Sequence, residues 1–215
     1  MQSAAFFRVE GALVSRSALL APAWMAANGQ RIRGRLARLG AVALAAPVSL
    51  AAPGRADRLG WSALRDTSAD RLRVLGEEYF HAHLKPSLTD VGMRLLASAR
   101  EQGRAVVLIS SHPDCIVSHL AQHLDAEHLV CNRLALRDGV ATGHLEEPVI
   151  GDAISGQWAS DWAAGRSIDL STSYGYGARG GDAVLLSALG HPCAVRPDRS
   201  LRQRAHDLSW PVVDA

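Results

Sequence analysis

Charged, hydroxyl and imidazole side chains occur close together in three short segments of this 215-residue sequence, at residues 8–12, 110–114 and 177–182. Arg8, in the first segment, carries a guanidinium that keeps its charge near neutral pH. Carboxylate and imidazole side chains, by contrast, can take up and release protons. The segments therefore predict either a site that binds an anion or a site for acid–base chemistry.

The anion-binding hypothesis combines Arg8 with hydrogen-bond donors of the second segment. Ser110 and Ser111 supply hydroxyl groups, and a helix expected to begin near Pro113 would present unpaired backbone N–H groups. Arg179 would add a second cation. We therefore expect these residues to bind a small molecule with a phosphate, sulfate or carboxylate group. The alternative is that Arg8 forms ion pairs within the protein and fills the site.

Acid–base chemistry without a metal would use Glu10, Asp182 or His112 as catalytic residues. Imidazole changes its charge near neutral pH, which makes His112 a candidate for proton transfer. Two simpler alternatives stay open. Either carboxylate can pair with Arg8, and His112 can serve only to cap the helix that follows it.

The three segments follow predicted strands, which would bring them to one edge of a sheet. Residues 104–110 (RAVVLIS) form a continuous apolar run that is typical of a strand buried on both faces of a parallel sheet. Similar runs at 4–9 and 171–176 alternate with helical patterns. This alternation predicts an α/β fold with a Rossmann-like parallel sheet, whose ligands bind at the carboxyl ends of the strands.

The helical pattern of residues 17–85 interrupts the alternation and predicts an inserted helical cap, with residues 1–16 and 86–215 as the core. A helix inside the cap is expected to start after Ser68 and to bury four residues on one face. Those four are Leu72, Leu75, Tyr79 and Ala82. In the core, residues 128–136 and 140–145 are expected to pair as a hairpin around an Asp-Gly turn.

Composition narrows the class of protein and its compartment. Apolar residues make up 48% of the chain, and a net charge of +2 is too small to indicate a nucleic-acid partner. The cysteines, Cys115, Cys131 and Cys193, lack metal-site or thioredoxin-type spacing, which fits a reduced, cytoplasmic compartment. The first residues lack a signal-peptide pattern, and the apolar stretch at 36–52 is too short for a membrane span, so no membrane association is expected.

The three segments resemble the motifs of the haloacid dehalogenase superfamily, in its phosphoserine-phosphatase-like branch with a helical cap. Residues 5–14 (AFFRVEGALV) are similar to the opening motif FFDxDGTLV, and residues 107–113 (VLISSHP) to the second motif, a strand that ends in Ser or Thr. Residues 174–182 (YGYGARGGD) resemble the fourth motif, YxYxDSxxD. The similarity covers nearly the whole chain and implies a parallel α/β core with a cap.

Several positions depart from the family pattern. Arg8 stands where the family has the aspartate that attacks phosphorus, and Glu10 replaces the second aspartate, the general acid/base. Ala178 replaces a carboxylate that helps to hold Mg²⁺, whereas Asp182 matches. No lysine occurs at residues 150–155, where the lysine of the third motif is expected. The resemblance therefore implies that the nucleophile and the metal site are lost, and we expect no metal or other cofactor.

These observations predict a degenerate phosphatase-like protein that binds an anionic small molecule or acts as a regulatory module. The alternative is a repurposed, metal-independent enzyme in a specialised biosynthetic pathway, with lyase, isomerase or cyclase chemistry. Residual hydrolysis through a rearranged site is a third possibility. A conventional Mg²⁺-dependent phosphatase is not expected.

Overall fold

A computed structural model describes residues 2–16, 18, 20–28 and 60–214, with the side chains of 152–155 excepted. The strands of this part of the chain are β1 (Ala4–Arg8), β2 (Ala105–Pro113), β3 (His128–Asn132), β4 (Leu134–Arg137), β5 (Val140–Leu145), β6 (Tyr174–Gly177), β7 (His191–Val195) and β8 (Val212–Val213). Six of them form one sheet in the order β3-β2-β1-β6-β7-β8, and every pairing in it is parallel. The predicted α/β fold with a parallel sheet is confirmed.

Helices flank this sheet. They are α1 (Leu20–Asn28), α2 (Ala69–Tyr79), α3 (Asp90–Glu101), α4 (Asp114–His123), α5 (Asp152–Ala164), α6 (Ala183–Ser187) and α7 (Arg199–Asp207). As predicted, the hydroxyl of Ser68 caps α2 by accepting a hydrogen bond from the backbone of Arg71, 3.3 Å away. Single turns of π or 3-10 type lie at Val9–Leu13, Phe80–Leu84, Lys85–Ser87, Leu170–Thr172 and Gly180–Asp182.

The central strands are buried on both faces, because successive side chains of a strand point to opposite sides. Every residue of β1 and β2 is buried. Phe7 and Leu108 belong to the larger apolar cluster on one face, whereas Phe6 and Ile109 belong to a second cluster on the other. This double burial explains why the sequence of β2 is a continuous apolar run instead of an alternating one.

The predicted hairpin is only partly correct. Residues 128–136 do not form one strand, because His128–Asn132 pairs in parallel with β2 and joins the main sheet. Only β4 pairs with β5, in an antiparallel hairpin. The turn between them is the expected one: Asp138 and Gly139 have φ angles of +52° and +73°, which suit the mirror-image turn that matches strand twist.

The apolar stripe predicted on α2 is wrong at its last residue. Leu72, Leu75 and Tyr79 are buried, but Ala82 is exposed. The α-helical spacing ends at Tyr79, and the π turn Phe80–Leu84 widens the spiral, so that Phe80 and Leu84 are buried instead.

The boundaries of the predicted cap stay a prediction, because a large part of residues 17–85 lies outside the described residues. Its described helices pack against the core: Met25 and Leu75 belong to the same apolar cluster as Phe7 and Leu108 of the sheet. The apolar stretch at 36–52 is also outside the described residues. In the part of the chain that is described, no helix is both long and apolar enough to span a membrane.

Candidate functional site

Three neighbouring strands bring the three polar segments together. β1 lies between β2 and β6 in the sheet and pairs with both. Arg8 ends β1 and Glu10 lies in the π turn that follows, while residues 110–112 lie near the end of β2 and Asp182 lies in the 3-10 turn after β6. Carboxyl ends of parallel strands share one edge, so the sheet itself positions the site.

Gly11 allows the first and third segments to approach closely. Its φ is +96°, a conformation that other residues rarely adopt, and a Cβ at this position would lie 2.5 Å from the Cβ of Ala178. The wide turn around it is closed by a 2.9 Å hydrogen bond from the backbone N–H of Val14 to the carbonyl of Val9. The turn places Glu10 beside the other two segments.

Arg8 forms ion pairs with both carboxylates of the site. Its Nε lies 2.8 Å from Oδ1 of Asp182, and its Nη2 lies 3.6 Å from Oε2 of Glu10. Nη2 also donates a 3.3 Å hydrogen bond to the hydroxyl of Ser111. Since Arg8 is only 2% exposed, its charge is balanced by these groups and not by solvent.

Glu10 is buried and accepts several hydrogen bonds on one oxygen. Its Oε1 accepts from the hydroxyl of Ser110 at 2.5 Å and from the backbone N–H of Ser111 at 3.0 Å, and it lies 2.8 Å from Nδ1 of His112. Burial raises the pKa of Glu10, but the hydrogen bond from His112 and the charge of Arg8 outweigh this effect and lower the pKa to about 2. Glu10 is therefore ionised.

Asp182 is fully buried and joins the third segment to Arg8. Its Oδ2 accepts hydrogen bonds from the backbone N–H groups of Ala178 and Arg179, at 2.8 and 2.9 Å. The side chain of Arg179 is exposed, and it is the backbone N–H of this residue that binds Asp182. We refer to Arg8, Glu10, Ser110, Ser111, His112 and Asp182 as the ion-pair cluster.

His112 faces the interior and does not cap α4, because Pro113 occupies the N-cap position and makes no side-chain hydrogen bond to the helix. An ionised Glu10 can only accept, so Nδ1 of His112 donates to it. Among the described residues, Nε2 of His112 and the hydroxyl of Tyr79 are both buried without a hydrogen-bond partner. The two rings are neighbours, with centroids 6.2 Å apart, and burial raises the pKa of Tyr79 to about 12.

Asn132, at the end of β3, is a site residue that the sequence argument missed. Its Nδ2 donates to the carbonyls of Ser111 and Ile150, at 2.8 and 3.2 Å, and its Oδ1 accepts from the N–H of Ile150 at 2.7 Å. Asn132 thus ties the second segment to the loop before α5. The sequence signal for Asn132 is a polar residue at the carboxyl end of an apolar strand. The prediction of one strand over residues 128–136 placed Asn132 inside a hairpin strand, so this strand end was not recognised.

His119 with His123, as potential metal ligands, and Cys115, as a potential nucleophile, lie in surroundings that do not support these roles. His119 and His123 share one face of α4, where their rings pack around Phe80 with centroids 6.1 and 5.7 Å away. Within the described ranges, no three His, Cys, Asp or Glu side chains form a group that could hold a metal ion. Burial raises the pKa of the Cys115 thiol to about 12, so Cys115 is a poor nucleophile.

Comparison with known proteins identifies the family. The haloacid dehalogenase-like hydrolase family matches residues 5–187, so the chain belongs to this family. A Mycobacterium tuberculosis protein named "Probable phosphatase" is 31% identical over 143 residues, which cover 66% of this chain and 50% of that protein. The chain spans about half the length of the curated relatives it matches.

Solved structures share the fold. A protein of unknown function from Bordetella pertussis superposes with a TM-score of 0.85 at 21% identity and covers 100% of this chain and 99% of its own. A phosphoserine phosphatase in its apo form has a TM-score of 0.73 at 17% identity, with 100% of this chain and 94% of that chain covered. These similarities agree with the parallel sheet and its flanking helices.

Proposed function

We propose that this member of the family does not hydrolyse phosphoesters through an aspartyl phosphate and Mg²⁺, and acts instead as a binding or regulatory module. The observation that carries the proposal is the position of Arg8, buried between Asp182 and Glu10. A guanidinium has no lone pair available for attack on phosphorus. Glu10, the nearest carboxylate in sequence, is engaged by donors from Ser110, Ser111 and His112.

The residues present do not fit a magnesium ion. Mg²⁺ needs an octahedral set of hard oxygen ligands, usually with one or two carboxylates. In the ion-pair cluster both carboxylates already face the guanidinium of Arg8, and Ala178 offers no side-chain oxygen. A second cation beside Arg8 would be repelled, so we assign no step to a metal.

The donors expected to bind an external anion bind a carboxylate of the protein instead. Ser110, Ser111 and Arg8 all direct hydrogen bonds or charge at Glu10, which takes the place of the expected ligand. A small anion can therefore bind at Arg8 only if it displaces Glu10 or Asp182. Because the ligand and these carboxylates compete for Arg8, ligand binding would move the turns that carry Glu10 and Asp182. A regulatory module requires such a coupling between binding and conformation.

The test is turnover of p-nitrophenyl phosphate with and without Mg²⁺. We expect no Mg²⁺-dependent release of product by the wild-type chain, and none by Arg8→Ala. Mg²⁺-dependent turnover that disappears in Asp182→Asn, or an acid-stable phosphoenzyme, would contradict the proposal. Calorimetric titration with phenyl phosphate then distinguishes a module that binds an anion from a regulatory module that does not. A heat of binding that is present in the wild type and lost in Arg8→Ala indicates an anionic ligand.

Acid–base catalysis without a metal is a second candidate, which the arrangement of His112 favours. The Glu10 carboxylate on Nδ1 fixes the orientation of the ring, which neighbours the ring of Tyr79, and Nε2 has no hydrogen-bond partner among the described residues. Diethyl pyrocarbonate acylates unprotonated Nε2 and tests whether this atom can be reached. His112 is fully buried, so this candidate requires the loops around it to open, and it predicts that mass spectrometry finds slow modification of His112 under native conditions. Modification only after unfolding would remove this candidate.

A further inference from the structure

A cavity of about 420 Å³ lies beside the carboxyl ends of β7 and β8 and shares no residue with the ion-pair cluster. Arg196 follows β7 and Asp214 follows β8, and the opposite wall is the start of α3, with Asp90 and Arg94. Ligands of parallel sheets bind beyond the carboxyl ends of the strands, and small-molecule sites have volumes of about 300–1,000 Å³. Both the place and the size suit a small ligand.

The charged residues that line this cavity are two arginines, Arg94 and Arg196, and two aspartates, Asp90 and Asp214. Within residues 2–16, 18, 20–28 and 60–214, neither Arg94 nor Arg196 forms an ion pair with a carboxylate. Asp214 is already neutralised, because Arg202 binds both of its oxygens, at 3.0 and 2.5 Å. Asp90 lies in the first turn of α3, where the helix dipole stabilises a negative charge. Two guanidinium groups therefore line the cavity without an ion pair among the described residues, and Asp90 is the carboxylate beside them that is not held by an arginine.

The backbone holds Arg196 in an unusual conformation. Its φ is +45°, in a region that residues other than glycine and asparagine seldom occupy. A 2.7 Å hydrogen bond from its N–H to the carbonyl of Val213 fixes this conformation at the end of the sheet. The direction in which the chain leaves β7 is thus set by the sheet.

The opposite wall is joined to the loop that carries Glu10. The hydroxyl of Thr89, which lines the cavity, donates to the carbonyl of Ala12 at 3.0 Å, and the N–H of Thr89 donates to the carbonyl of Leu13 at 2.9 Å. Ser15 also lines the cavity and donates its N–H to the carbonyl of Ser87 at 2.9 Å. An occupant would contact the same loop that closes the ion-pair cluster.

We propose that this cavity binds a small anion with two negative charges, such as a phosphate or a dicarboxylate, between Arg94 and Arg196. Guanidinium groups suit this task, because their N–H donors match the paired oxygens of carboxylates and phosphates. The site does not depend on the proposed function, since it uses none of the residues of the ion-pair cluster. Its two cations, unlike Arg8, form no ion pair with a carboxylate in the described part of the chain.

Calorimetric titration at low ionic strength tests the proposal with inorganic phosphate, succinate and acetate as probes. We expect phosphate and succinate to bind saturably at one site, and acetate, with one charge, to bind about tenfold more weakly. Arg94→Ala and Arg196→Asn should each weaken phosphate and succinate binding about tenfold, as expected for one charge-assisted hydrogen bond. Asparagine is used at position 196 because it tolerates a positive φ.

The matched control is Arg137→Ala, which removes an exposed arginine at the β4–β5 hairpin and should leave binding unchanged. Arg8→Ala separates this site from the proposed function, because phosphate binding that is lost in Arg8→Ala but kept in Arg94→Ala belongs to the ion-pair cluster. That result would overturn the inference, as would the absence of saturable binding, or an unchanged affinity in a variant that carries both Arg94→Ala and Arg196→Asn. Both arginines are exposed, so circular dichroism should show that the variants fold.

Discussion

Arg8 is a buried cation that stabilises the ends of three strands through its ion pairs with Glu10 and Asp182. Methionine at position 8 would keep much of the volume but remove the ion pairs that both buried carboxylates form with Arg8. We expect Arg8→Met to lower the free energy of unfolding by about 3–5 kcal/mol, as for other buried pairs that lose one member. Urea denaturation measures the change.

The matched control is Arg73→Met, since Arg73 pairs with Asp70 on the surface, where the two side chains are 73% and 92% exposed. This substitution should change the free energy of unfolding by less than about 1 kcal/mol. Equal effects of the two substitutions would show that the ion pairs of Arg8 contribute nothing to stability.

Glu10 should make the fold sensitive to acid. Its pKa in the folded chain, about 2, lies below the ordinary value of 4.5. The ionised carboxylate therefore stabilises the fold above pH 4.5, and this stabilisation is lost as the pH falls from 4.5 towards 2. We expect the urea midpoint of the wild-type chain to fall more steeply over this range than that of Glu10→Gln. The exposed Glu101→Gln should follow the wild type, and parallel curves for all three proteins would contradict the assignment.

Part of the site could be predicted from residue types alone. Arg8, Glu10 and Asp182 occupy strand ends in the sequence pattern, and pairing of Arg8 with either carboxylate was one of the two alternatives. The contact between His112 and Glu10 was not predicted, because β2 was expected to end at Ser110. The strand continues to Pro113, so residues 110 and 112 point to the same side and both reach Glu10.

Helices α2 and α4 pack so closely that Gly76 has no room for a side chain. A Cβ on Gly76 would overlap the backbone carbonyl of Cys115 in α4. We expect Gly76→Ala to lower the free energy of unfolding by about 1–3 kcal/mol, even though alanine favours helix more than glycine does. Gly165→Ala is the control, because the nearest atom to its Cβ would be 3.9 Å away. Urea denaturation of both variants tests this, and similar stability would contradict the close packing.

At the scale of elements, the sequence predicts the type and order of the helices and strands better than it predicts where each one ends and which strands pair. The apolar run of β2 and the N-cap Ser68 have local signals, and the structure contains both features. The partner of residues 128–132 has no local signal, since pairing with β2 depends on the tertiary fold. Likewise, the π turn after Tyr79 shifts which residues are buried, and the amphipathic spacing before it gives no sign of the shift.

On the scale of the whole molecule, the described helices of the predicted cap share an apolar cluster with the sheet. Leu75 of α2 and Leu108 of β2 are both fully buried in it. We expect Leu75→Ala to lower the free energy of unfolding by about 2–5 kcal/mol and to shift one cooperative transition. Tryptophan fluorescence and far-ultraviolet circular dichroism should give the same midpoint. Two separate transitions would show instead that the cap unfolds independently.

The ion-pair cluster also constrains how this site can evolve. One guanidinium pairs with two buried carboxylates, so an aspartate at position 8 would remove both ion pairs and place a third acidic group beside Glu10 and Asp182. An aspartate at position 8 alone is therefore expected to destabilise the fold, and this change would require compensating changes at positions 10 and 182.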